Sequence, residues 1–125
     1  LFQLLLLLFG LVACSPREDS LRTRGTVPFT SEQRRVATQE ERAKMLYSFV
    51  KTHVIERLTA KDIFNLLGPS TSYYQYDDFP AYLVGPKTVQ SQAGQGHLLA
   101  FPVNRTTGLI QEFVLDPMPN SLVAP

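Results

Sequence analysis

Few residues in this 125-residue chain have the type and spacing to do chemistry. His53 and His97 are its two histidines; the first falls in a helical stripe and the second opens a β-rich run, places that suit packing or a rim. Cys14 is the single cysteine, so no intramolecular disulfide can close and no Cys-rich zinc set can assemble. Asp77-Asp78 is an adjacent carboxylate pair, but neighbours in a turn point apart, which suits turn chemistry better than an acid–base couple. Gly94-Gln95-Gly96 lacks the preceding strand and following helix of a phosphate cradle. Asn104-Arg105-Thr106 is a formal glycosylation sequon and reads as a hairpin tip. These residues predict no enzyme, no metal site and no cofactor.

Cys14 acquires a role from its position. Residues 1–13 read LFQLLLLLFGLVA, with Gln3 the one polar residue. That length fits the apolar core of a secretory signal and falls short of the roughly 20 residues that span a bilayer. A basic leading region and an initial Met are missing, so the start is expected to be truncated. The run closes on Leu11-Val12-Ala13-Cys14 and turns polar at Ser15-Pro16-Arg17-Glu18-Asp19, which resembles the bacterial lipobox. A thiolate there takes a diacylglyceryl group. Small side chains before it let a peptidase cut between Ala13 and Cys14, freeing an amine for a further acyl chain. At roughly 0.8 kcal/mol per buried methylene one chain binds a membrane marginally, whereas two or three hold it permanently. With Cys14 acylated, no Cys–His pair is left for nucleophilic catalysis. Ser15 rather than Asp follows the cysteine, which by the sorting preference of enteric bacteria implies the inner leaflet of the outer membrane, facing the periplasm.

The second constellation is aromatic: Tyr73, Tyr74, Tyr76, Phe79 and Tyr82 crowd into ten residues. Alternation along a strand would put Tyr74 and Tyr76 on one face and Tyr73 on the other, so all cannot be buried. Exposed tyrosines bring contact area at low entropic cost and make the cluster a candidate partner surface. The competing reading is that they cover a thin core.

These groups must be positioned by a small set of elements. Residues 15–37 are polar and without period, so 14–37 is expected to be the lipidated cysteine and a flexible tether of roughly 25–30 Å. Thr38-Gln39-Glu40-Glu41 is a capping box, opening an amphipathic helix to about Arg57 through Met45 or Leu46, Phe49, Val50, His53 and Val54. Thr59-Ala60-Lys61-Asp62 starts a second helix, ended by a left-handed Gly68 and by Pro69. Ser72–Tyr76 and Ala81–Val84 are rich in β-formers, residues 86–96 form a long polar loop, and His97–Val103 and Leu109–Leu115 flank a turn at 104–108. Pro102 marks an edge or bulge. One α+β domain is expected over 38–116, two helices packed on a three-stranded antiparallel sheet (ααβββ), with 117–125 a frayed tail. Residues 17–62 carry ten Lys/Arg against seven Asp/Glu, and 63–125 two against four. With a formal net charge of +1, neither half has the basic footprint of a nucleic-acid binder.

The run LTAKDIFNLLGPS, then AYLVGP, then two strands split by a Gly-containing turn resembles the SmpA/OmlA (BamE-like) group of small outer-membrane lipoproteins. The likeness rests on Leu66-Leu67-Gly68-Pro69 and Tyr82-Leu83-Val84-Gly85 and covers residues 57–116. The first helix is longer than that group's, and its lipid- and partner-contacting loop has no counterpart here. The resemblance implies a lipid-anchored, non-catalytic envelope protein that binds other envelope proteins, in the setting of the β-barrel assembly machinery. The alternative is a binding or inhibitory module of the same fold, acting on a soluble ligand or enzyme.

Overall fold

In the computed structural model, residues 21–22 and 25–117 are described. The expected lipobox at Leu11, Val12, Ala13 and Cys14, with the apolar run before it, lies outside them, as do residues 118–125. Among the described residues, the short helices α1 (Ser31–Val36), α2 (Gln39–Ala43), α3 (Leu46–Thr52) and α4 (Ala60–Leu67) precede the strands β1 (Ala81–Val84), β2 (Gln90–Ser91), β3 (Gly94–Gln95), β4 (His97–Ala100) and β5 (Val114–Asp116). The helices come first and a three-stranded antiparallel sheet follows, in the order β1-β4-β5.

Both expected capping boxes form. Thr38 Oγ1 accepts from the Glu41 amide at 3.2 Å while Glu41 returns a bond to the Thr38 amide at 2.8 Å; Thr59 and Asp62 do the same at 3.1 and 2.9 Å. The helix from Thr38 does not run unbroken to Arg57. At its first break Lys44 and Met45 bond back three residues, to the carbonyls of Glu41 and Arg42, and the Lys44 carbonyl turns out to accept from the Val27 amide at 3.1 Å. At its second, the Thr52 hydroxyl and the His53 ring occupy the carbonyls of Ser48 and Phe49, and the β-branched Val54 and Ile55 lead into a single 3₁₀ turn, Ile55–Arg57. Val54 consequently leaves the apolar stripe and is exposed.

The flexible tether needs correction over its described part. Leu21 is 1% exposed and belongs to the main core. Phe29 packs on that core, its amide donating to Ser48 Oγ at 2.9 Å. Thr30 caps α1 through the Gln33 amide, and Ser31 Oγ donates to the Leu66 carbonyl, both at 3.0 Å. A few isolated plugs, rather than a periodic face, attach this stretch, and periodicity is blind to them.

β4 is the middle strand and is buried on both faces. Tyr82 pairs with Leu99, which with Val84, Phe101 and Leu115 meets Phe49, Ile63 and Leu67 of the helices. Ala81, Leu98 and Ala100 form a smaller cluster behind, covered by Tyr74 and Ala93. Ala93 lies in a two-residue turn between β2 and β3, a hairpin inside what reads as a loop at 86–96. The strand from His97 stops at Ala100 rather than Val103: the Phe101 amide still bonds the Pro80 carbonyl in register at 2.9 Å, but Pro80 has no N–H to return and Pro102 brings none. Leu109–Leu115 is likewise broken: Ile110 bridges Val103, then the register slips by one residue before Val114 pairs with Ala100, a bulge. Pro117, expected in a frayed tail, is held instead, its carbonyl accepting from His97 Nδ1.

Gly68 ends α4 with φ 84° and ψ −175°. Positive φ is as expected, but ψ lies in an extended region that is essentially glycine's alone, not in the left-handed helical well. A Cβ there would meet nothing closer than Arg34 Nη1 at 3.7 Å, so space is not the obstacle. Gly68→Val should cost about 1–3 kcal/mol through the backbone, and a denaturation midpoint equal to the parent's would refute it.

Candidate functional site

The aromatic segment between α4 and β1 is no strand. Thr71 and Ser72 both donate amides to the Ala81 carbonyl, at 3.0 and 3.1 Å, folding the chain over the start of β1. Beyond them Gln75 adopts φ 62°, a region few non-glycine residues visit. The Tyr76 amide reaches the Tyr74 carbonyl at 2.6 Å, and the two tyrosines bridge each other. This reversal replaces the alternation expected of an extended strand. Tyr74 becomes half-buried cover for the rear cluster. Tyr73 and Tyr76 stay 56% and 52% exposed.

Phe79 and Tyr82 are core, which corrects their place in the partner surface. Tyr82 is fully buried, and its hydroxyl donates to the Gly68 carbonyl at 2.7 Å. Burial pushes its phenol up to about 12, against the opposing pull of the Arg34 cation 5.0 Å above its ring. Phe79 is buried but supports the surface from beneath, its ring edge-on to Tyr76 at 5.0 Å.

Arg105, read from sequence only as part of a hairpin tip, completes this surface. Asn104 Oδ1 accepts from the amides of Thr106 and Thr107 at 2.8 and 3.2 Å, building the turn that carries it. The Arg105 guanidinium stands 4.5 Å over the Tyr76 ring and 5.5 Å from that of Phe79. It also donates to Asp78 Oδ1 at 2.9 Å, with both side chains more than half exposed. An exposed cation–π contact contributes about 0.5–1 kcal/mol and an exposed ion pair no more. The group can therefore stiffen Tyr76 without committing it. The sequence holds no local signal for this meeting, since Arg105 and Asp78 lie 27 positions apart.

The histidines stay separate. His53 packs its ring against Phe49 at 4.6 Å, and His97 is buried at the start of β4. Asp77 and Asp78 are both exposed, and Asp78 turns to Arg105. Among the described residues no three His, Cys, Asp or Glu side chains gather as a metal-holding group, and no helix is long and apolar enough to cross a membrane. What the site offers is two accessible phenol rings, a fixed guanidinium and two carboxylates, a combination suited to holding a partner.

In comparisons with known proteins, the chain matches no family model, no curated protein and no solved structure.

Proposed function

We propose that this chain is a non-catalytic envelope lipoprotein, held through acylated Cys14 in the inner leaflet of the outer membrane and binding another envelope protein from the periplasmic side. The observation that carries the binding half is the pair Tyr73 and Tyr76, both more than half exposed, with Tyr76 braced by Arg105. Tyrosine and arginine at the rim of a packed aromatic are the residue types that anchor protein interfaces. The anchoring half rests on the lipobox at residues 11–14. Helices followed by a three-stranded antiparallel sheet are compatible with a BamE-like fold. The proposal takes that fold, and outer-membrane protein assembly, as the setting.

The test uses the full acylated chain in its own envelope, with a photo-crosslinking aromatic at position 73 or 76. Crosslinking to a component of the β-barrel assembly machinery is the expected result. Tyr73→Ala and Tyr76→Ala should each weaken that capture by about 1–2 kcal/mol, while stability stays within about 0.5 kcal/mol of the parent. If both variants capture as well as the parent and neither position crosslinks, this surface binds no partner.

A further inference from the structure

A cleft of about 290 Å³ opens where α1 and α2 meet the end of α4 and the loop after it. Arg34, Arg35 and Arg42 line one side, and Gly68, Ser70 and Thr71 part of the other. Three cations share this space, and none of the residues lining it is an Asp or Glu.

Each arginine is placed differently. Arg34 is only 8% exposed, with its guanidinium over the Tyr82 ring. Burial, and after it the like charge of Arg42, lowers Arg34 to about 10, so it remains a cation at neutral pH. Arg42 is fixed by α1: its Nε donates to the Arg34 carbonyl at 3.0 Å and an Nη to the Arg35 carbonyl at 3.4 Å. Arg35 is exposed at the rim. A guanidinium carries five N–H donors in a fixed fork, and Arg42 spends two of its own on the backbone. The carbonyls of Leu66 and Gly68 already accept hydroxyl protons from Ser31 and Tyr82, so no arginine is needed to cap them.

The opposite wall adds donors. Ser70 Oγ accepts the Ala81 amide and Thr71 Oγ1 the Leu83 amide, both at 3.0 Å. Each oxygen is held by the bond it accepts, leaving its own O–H proton to give. A buried cation beside a like charge is costly unless an anion joins it. Three guanidiniums balance a dianion better than a single carboxylate, and forked N–H pairs match phosphate oxygens. The volume sits at the lower end of small-ligand pockets, about 300–1,000 Å³, enough for a phosphate group and a short substituent.

We propose that this cleft binds a phosphate monoester, with Arg34, Arg35 and Arg42 holding its oxygens and the Ser70 and Thr71 hydroxyls donating from the other side. The monoester is either a free metabolite or the headgroup of a lipid.

Two arms separate those sources, both on residues 15–125, which keep the whole described core and lack both the acylated cysteine and the apolar run of residues 1–13 that would bind vesicles. Titration with glycerol 3-phosphate should saturate, with acetate binding far more weakly. Arg35→Gln, whose side chain is exposed and remote from the core, should weaken binding roughly tenfold, the loss of one charged hydrogen bond, with an unchanged melting curve. Arg42→Gln should do the same even if the melting temperature falls. A lipid source gives a different pattern: glycerol 3-phosphate does not bind, but vesicles of phosphatidylcholine with phosphatidic acid retain the parent and not Arg35→Gln, and phosphatidylcholine alone retains neither. Absence of binding in both arms, equal binding by parent and Arg35→Gln, or acetate matching the phosphate ester would overturn the proposal.

Discussion

Phe49→Ala is expected to lower the unfolding free energy by about 3–5 kcal/mol, the range for truncating a fully buried phenylalanine. Phe49 is 1% exposed, and its ring is a junction rather than one more member of the core. It meets Phe29 of the N-terminal stretch edge-on at 4.9 Å, His53 of its own helix region at 4.6 Å, and Phe101 beyond β4 at 6.3 Å. Phe101 in turn meets Tyr82 of β1 at 6.4 Å. Removing the ring therefore leaves a cavity touching three parts of the fold, none free to collapse without moving another. The Phe29 contact adds a second readout. Residues 25–37 should become cleavable by protease under conditions where they resist in the parent. Urea unfolding of parent and variant measures the loss, with Val36→Ala as a control because Val36 is 84% exposed. A loss below about 1 kcal/mol, near the centre for point substitutions at large, would mean that the N-terminal stretch does not close over this ring.

What could be read in the sequence was local. Thr38 with Glu41 and Thr59 with Asp62 signal helix starts within four residues, and both capping boxes form. Gly68-Pro69 signals the stop of α4, and Ala81–Val84 and His97–Ala100 form two adjacent strands of the sheet. What could not be read depends on distant partners. Leu21 and Phe29 carry no period, and their burial is decided by core residues far along the chain. The break at Lys44 follows from a bond to Val27, which no helix propensity encodes. Thr30 with Gln33 carries a capping signature, but nothing apolar and periodic follows it to mark a helix. At the candidate surface, β-forming tyrosines suggested a strand, but Gln75 at positive φ turned it into a reversal. That turn decides which rings face solvent. Arg105 is invisible until the fold brings the 104–108 turn to Tyr76.

Cys14→Ser is expected to abolish acylation and outer-membrane partition while leaving the domain's stability unchanged. The serine hydroxyl is far less nucleophilic than a thiolate at neutral pH, so the diacylglyceryl transfer should fail and the peptidase that follows should leave the precursor uncut. The uncut precursor would keep the apolar run of residues 1–13 but carry no acyl chain, so it should not reach the outer membrane. Leu21 lies in the core, so no more than the covalent chain from Cys14 separates the anchor from the folded domain. Fully extended, that span reaches about 25 Å. An acylated Cys14 would thus hold the domain close to the headgroups, nearer than a tether running to residue 37 would. Intact mass and envelope fractionation read both consequences. The parent should carry acyl mass on a chain beginning at Cys14 and partition with the outer membrane, and the serine variant should do neither. Its melting temperature should match that of the parent, because Ile63, Tyr82, Leu99 and the rest of the described core lie at Leu21 or beyond. Normal maturation and outer-membrane partition of the serine variant would show that the thiol anchors nothing, and the envelope assignment would fall with it.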